Sequence, residues 1–338
     1  MTERAAYLAL SRIGGKRRLE ARELLTELGS ARAVWSRMGL AGPDPEAELA
    51  RALARPGRMI VPTDAEYPPL LAQLEDYPLV LFLRGLALPP EPLVALVGSR
   101  MATPYGLVVA ERLGRDLARS GVSVVSGLAR GVDTAAHRGA LRSPESHPVA
   151  VLGCGLDHDY PAENRPLKDQ LERHGTLVSE YPPWEPPVAW RFPARNRILA
   201  GLCRAVVVVE AGERSGALIT ARCALNAGRE VMVVPGDVGQ PTSRGTFELL
   251  RDGATPVACA AHILESLFVR EVPRPTPPLE PELARVLAGL SPRGSSADEL
   301  VSRTRLSITQ VLAALGRLQV EGRVVRFGSA FLPLDQAP

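Results

Sequence analysis

The chain has 338 residues, 46% of them hydrophobic and 23% charged, with a formal net charge of +3. That length exceeds one ordinary domain and predicts two or three, with ample apolar material for buried cores. A charge so nearly balanced excludes a uniformly basic polynucleotide binder, so any basic surface has to be local.

Residues 1–56 read as a small all-helical domain. Residues 5–10 are apolar, and Leu19, Leu24, Leu25 and Leu28 follow at helical spacing. Gly14 and Gly15 interrupt the pattern; Gly29 and Ser30 mark a stop and a new cap. A helix, a glycine turn and a second helix resemble helix–hairpin–helix modules, with Lys16, Arg17 and Arg18 directly after the glycines. An ordinary glycine turn in an interaction domain is the simpler reading and is preferred to direct DNA contact.

Residues 57–270 alternate between apolar runs and helical patterns. Strands are expected over 93–97, 122–125, 149–152, 177–178, 205–209 and 230–234. Thr103 can cap a helix that starts with Pro104, where a missing N–H costs nothing. Continuous apolar strands separated by helices predict an α/β fold, a Rossmann-like, doubly wound, mainly parallel sheet covered on both faces. Residues 271–281 are proline-rich and read as a stiff linker. Residues 282–338 give three helices and two short strands, a winged helix-turn-helix pattern. The second helix of the pair, residues 309–318, offers Gln310 and Arg317 and is otherwise mostly apolar, a poor face for reading bases, which favours docking or weak backbone binding.

In such a sheet the ligand site lies at the carboxyl ends of the strands. Three strand ends combine glycine, a hydroxyl and arginine: Gly98-Ser99-Arg100, Ser126-Gly127 with Arg130, and Arg214-Ser215-Gly216 running to Thr220. Glycine lets backbone N–H groups approach an anion, and helix N-termini favour negative charge. Several cradles in a row suit a chain of phosphates better than one nucleotide. Tyr181, Trp184, Trp190 and Phe192 crowd one segment, interleaved with Arg191, Arg195 and Arg197. Ring faces and planar guanidinium forks suit stacked, unpaired bases and their phosphates. A proline-rich loop whose aromatics fold back as core is the competing reading. Arginine is general here: only Lys16 and Lys168 among the 40 basic residues are lysine.

Searches for catalysis mostly fail. No GxxxxGK[ST], GxGxxG after Val97, GxSxG or HExxH occurs. No metal and no cofactor are expected. Cys154, Cys203, Cys223 and Cys259 are scattered and read as reduced, buried apolar residues. No signal peptide or membrane-spanning run is found, so a cytoplasmic location without membrane contact is expected. Pro235-Gly236 and Gly245-Thr246-Phe247-Glu248 resemble a signature of nucleotide-cleaving phosphoribohydrolases, but residues 237–244 separate the halves. That resemblance leaves a nucleotide-cleaving enzyme as the alternative function.

Val97-Gly98-Ser99-Arg100, Ser126-Gly127-Leu128-Ala129-Arg130-Gly131-Val132-Asp133, Gly153-Cys154-Gly155-Leu156-Asp157 with Tyr160-Pro161, Phe192-Pro193-Ala194-Arg195-Asn196-Arg197-Ile198 and Ser215-Gly216-Ala217-Leu218-Ile219-Thr220 together resemble the DNA-processing protein A (DprA, also called Smf) family. The resemblance spans the central domain nearly end to end. It implies a non-enzymatic single-stranded DNA-binding protein, a homodimer that helps load the RecA recombinase in natural transformation. It implies phosphate contacts from Gly98, Ser99, Arg100, Ser126, Gly127 and Arg130. It places Phe192, Arg195, Asn196 and Arg197 along the strand path, with Phe192 as base platform, and Ser215, Gly216 and Thr220 in the pocket. Asn196 has a competing role in locking its own loop.

Overall fold

The computed structural model describes residues 1–40, 42–267, 279–291, 294–321 and 323–333. The chain divides into two compact units, Met1–Val272 and Pro273–Pro338. The expected boundary at residue 56 falls inside the first unit, and most of the expected linker at 271–281 lies outside the described residues.

The first unit is built on a nine-stranded sheet. Its strands are β1 (Arg58–Ile60), β2 (Leu81–Gly85), β3 (Leu93–Gly98), β4 (Ser123–Ser126), β5 (Val149–Leu152), β6 (Thr176–Ser179), β7 (Ala205–Glu210), β8 (Glu230–Val233) and β9 (Thr255–Pro256). Their order is β1-β2-β6-β5-β4-β3-β7-β8-β9. From β6 to β9 every pairing is parallel; β2 joins β6 antiparallel and β1 joins β2 antiparallel. Sequence patterning missed β1, β2 and β9, which lie at the two margins of the sheet.

Side chains alternate across the sheet with period two. Ala95, Val97, Val206 and Val208 pack into a cluster with Ile198, Leu199, Ala217 and Ala221. Val94, Leu96, Val207 and Val209 face Val109, Leu113, Leu117 and Ala136. All six residues of β7 are buried, as expected of a central strand covered by helices on both faces.

Strands β3 to β6 run outward in one direction, and the chain then returns to place β7 on the other side of β3. The topological switch point therefore lies between β3 and β7, where the loops leave in opposite directions and open a crevice.

Helices Glu3–Ser11, Lys16–Leu28, Ala31–Arg37 and Pro45–Leu53 form the N-terminal module. Ser30 caps the third by accepting from the Ala33 amide at 3.2 Å. Leu8, Leu10, Leu25 and Val34 share one buried cluster with Phe82, Leu152, Leu156 and Leu171 of the α/β part. That shared core makes the module part of the first unit. Arg18 of the basic cluster pairs with Asp76 at 2.8 Å, while Lys16 and Arg17 are exposed.

The second unit has helices Pro281–Gly289, Ala297–Thr304 and Ile308–Val320 and a three-stranded antiparallel sheet. To the two expected strands, β11 (Val324–Phe327) and β12 (Ala330–Pro333), the structure adds β10 (Ser295–Ser296). Ser296 with Glu299, and Ser307 with Gln310, form capping boxes. Arg317 is held by Glu280 through two 2.7 Å contacts, and Gln310 donates to Glu282 at 3.0 Å. Gln310 and Arg317 are thus both engaged within the unit.

Candidate nucleic-acid interface

A cleft of about 690 Å³ opens at the switch point. Gly98, Ser99, Arg100 and Met101 line it after β3; Arg214, Ser215, Gly216 and Thr220 line it after β7. Phe192, Arg195, Asn196 and Leu199 line it from helix Arg191–Gly201. Their i, i+3, i+4, i+7 spacing puts them on one helical face. The sequence reading placed this segment in a loop, because its prolines and aromatics hid the helix.

The three strand ends are chemically unequal. After β3, Thr103 caps helix Pro104–Arg119 by accepting from Gly106 N–H at 3.1 Å, with Pro104 in the first turn as expected. Buried Glu210 reaches the same helix start, accepting from Thr103 N–H at 3.1 Å and from its hydroxyl at 2.6 Å. A carboxylate already fills that anion position. The Ser99 hydroxyl accepts from Met101 N–H at 3.1 Å, which leaves its own proton free to donate.

After β4 the donors are also spent. Ser126 is fully buried and donates to Leu96 O at 2.6 Å. The Gly127 and Ala129 amides donate to Asp133 at 3.1 and 3.3 Å. The phosphate contacts expected of Ser126 and Gly127 are therefore replaced by internal bonds. Arg130 is exposed, pairs with Glu163, and lines a small recess beside the cleft.

After β7 the anion position is open. Helix Gly216–Asn226 is capped only by Ser215, which accepts from Ala217 N–H at 3.3 Å. A Cβ on Gly216 would meet nothing within 4 Å. Thr220 is buried and leans on Gly216 O at 3.5 Å. Asn196 donates to the same carbonyl at 3.4 Å, so it ties helix Arg191–Gly201 to this turn rather than locking a loop of its own.

Beneath the cleft lies a buried polar layer. Arg195, only 4% exposed, donates to Gly127 O at 3.0 Å, to Val151 O, and to Asn196 Oδ1 at 3.3 Å. Burial pulls its pKa down and Asp133 opposes that; burial pushes Asp133 up, opposed by Arg195 and the two amides. Arg195 thus carries the strand-end loops from below, and little of it is left for a phosphate. His137 is fully buried, and burial pushes its pKa down to about 3, so the ring stays neutral.

The aromatic wall is partly accessible. The Phe192 and Tyr160 rings lie 4.9 Å apart, inclined at 33°, and the Arg100 guanidinium stands 5.5 Å from the Phe192 centroid. Phe192 presses onto Gly153, where a Cβ would fall 2.7 Å from the ring. Tyr160 is 40% exposed. Tyr160 was not singled out as a site residue, whereas Arg214 was named with its strand end; both line the cleft. Their signal was their position at the carboxyl ends of β5 and β7.

Arg197 does not reach the cleft. Its Nε is 3.0 Å from Asp76 and its Nη2 bonds Glu180, in a network that includes Arg18 and Arg22 of the helical module. Trp184 also turns to that module, under the Arg51 guanidinium at 4.0 Å. The aromatic–arginine segment is therefore shared between a module contact and the cleft.

The sequence model described as DNA recombination-mediator protein A matches residues 58–268, and that of the DprA winged helix domain matches 270–328. Protein Smf of Escherichia coli is 38% identical over 303 residues, covering 84% of this chain and 80% of that protein. DNA processing protein DprA of Bacillus subtilis is 40% identical over 209 residues, 61% of this chain and 70% of its own. DNA processing protein A of Streptococcus pneumoniae superposes with a TM-score of 0.67 at 33% identity, over 77% of this chain and 95% of that one. The Helicobacter pylori protein, whose structure addresses its single-stranded DNA binding mode, gives 0.57 at 30% identity, over 63% and 96%. With matching models over both units and a shared fold, the chain belongs to the DNA-processing protein A (DprA/Smf) family.

Proposed function

We propose that this chain binds single-stranded DNA in the cleft at the switch point and breaks no bonds there. One observation carries the reading. Arg100 and Arg214, exposed and without an ion pair among the described residues, flank the open start of helix Gly216–Asn226, with the Phe192–Tyr160 wall beside them. The cations and the open helix start suit phosphates, and the rings suit unpaired bases. Gly98, Ser99, Arg100, Phe192, Ser215, Gly216 and Thr220 form the contact surface; Ser126, Gly127, Arg195 and Asn196 hold it in shape. Arg130 extends it if its partner Glu163 yields.

The binding mode named for the Helicobacter pylori relative supports this reading. From the family role we further infer a cytoplasmic homodimer that passes DNA to the RecA recombinase in natural transformation. Glu248 of the resembled signature lends the nucleotide-cleaving alternative no support at the cleft: it is exposed on helix Arg244–Arg251 and is not among the lining residues. Asp133, the one carboxylate among the lining residues, is occupied by two amides.

The test is fluorescence anisotropy of the full chain with labelled single- and double-stranded oligonucleotides over a salt series. Tighter binding of the single strand at every salt concentration is expected. Equal affinity for the duplex, in which base faces are hidden, removes the stacking component.

A further inference from the structure

We propose that the indole of Trp190 is a second stacking platform for an unpaired base, on the shoulder of helix Arg191–Gly201 just outside the cleft. This rests on reading the cleft as a single-strand site and extends that path by one station.

Trp190 is 61% exposed, whereas Trp184 is covered by Arg51. Its setting is nevertheless fixed. The Tyr181 ring meets it edge-on at 6.2 Å and 85°, and the Arg191 guanidinium lies 5.5 Å from its centroid. Arg191 is itself pinned, donating to Pro186 O at 2.8 Å and pairing with Glu185 at 2.6 Å. A large ring held in orientation yet left open to water is pre-organised for a flat apolar partner.

Its neighbours in the chain, Ala189 and Phe192, both line the cleft. Two residues along a helix turn the side chain by roughly 200°, so Trp190 and Phe192 project to opposite sides of the helix start. A strand leaving Phe192 for Trp190 would cross that start, which no side chain caps and which favours negative charge. Arg191 is paired with Glu185 and is therefore not a free cation for an acidic protein. A nucleobase, recognised by its face, is the ligand the surface fits.

The experiment uses the full-length protein with oligothymidylates of graded length. In a W35F/W184F background Trp190 is the sole indole, and its emission is expected to be quenched by oligomers long enough to leave the cleft. Trp190→Ala should weaken binding of those longer oligomers by about fivefold to a hundredfold, leave the shortest unchanged, and be rescued by Trp190→Phe. Unquenched emission together with full affinity of Trp190→Ala, while the intact protein still binds, overturns the platform and spares the cleft. Loss of self-association in Trp190→Ala instead assigns the ring to contact between copies and overturns the proposal. Failure of the intact protein to bind any oligomer overturns the cleft reading and the platform with it.

Discussion

Arg195 Nη1 lies 3.0 Å from the carbonyl oxygen of Gly127, and a Cβ on Gly127 would fall 2.4 Å from Nη2 of the same guanidinium. The glycine is therefore a seat for a buried cation. Moving the guanidinium aside would break its bonds to Gly127 and Val151. Gly127→Ala is expected to destabilise the protein by about 1–3 kcal/mol through overpacking. Arg195→Ala strips Gly127 O and Val151 O of a buried donor and removes the charge that opposes the burial of Asp133, and is expected to cost about 1–3 kcal/mol per group left unsatisfied. Urea unfolding measures both. The salt slope of DNA binding should stay unchanged in whatever Arg195→Ala protein folds; a fall in slope would reassign Arg195 to phosphate contact.

Arg100 and Arg214 belong to the opposite class, being exposed and unpaired among the described residues. Arg100→Ala and Arg214→Ala should leave urea midpoints in place. Each should lower the slope of log affinity against log salt by about 0.7 per lost phosphate contact on a single strand. A variant that binds with the parental slope contacts no phosphate.

The architecture was legible because a central parallel strand has to be apolar on both faces, and 205–209 is an unbroken apolar run. The winged pattern and the Thr103–Pro104 helix start were legible for similarly local reasons. Site residues were harder to read. Ser99, Ser126 and Ser215 look alike in sequence, each beside glycine at a strand end. What separates them is long-range: Asp133 and Glu210 fold onto the amides of the first two turns and leave the third open. Likewise Arg195 and Arg197 are two residues apart on a helix, which sends one under the cleft and the other to Asp76 and Glu180. No period or motif in the chain reports which carboxylate meets which arginine.

The open turn supplies its own test. With no atom within 4 Å of a Cβ at position 216, Gly216→Ala should fold and bind nearly as the parent does. Gly216→Asp should also fold, since an acidic residue suits a first helical turn, yet it sets a negative charge where a phosphate is expected. Anisotropy titrations should show a loss of at least about tenfold for the aspartate variant, most of it recovered in Gly216→Asn. Full affinity of Gly216→Asp would place the strand elsewhere.

His137 makes an acid-side prediction about stability. Its ordinary value is 6.5, and burial lowers the folded value to about 3. Between those limits the unfolded chain binds a proton that the folded chain refuses, so stability should fall as pH drops from about 6.5 towards 3. The slope for one such group is on the order of a kcal/mol per pH unit. Asp133, adjoining the same layer, works the other way: burial raises its folded pKa, so the cost of keeping it ionised fades as pH falls. The two must therefore be separated by difference. In His137→Gln the acid-side slope should shrink relative to the parent, with the stabilities converging as pH decreases and any fixed packing cost appearing equally at all pH. Parallel stability curves for the two proteins across this window would mean that His137 takes up its proton in the folded state as readily as in the unfolded chain, contrary to its complete burial.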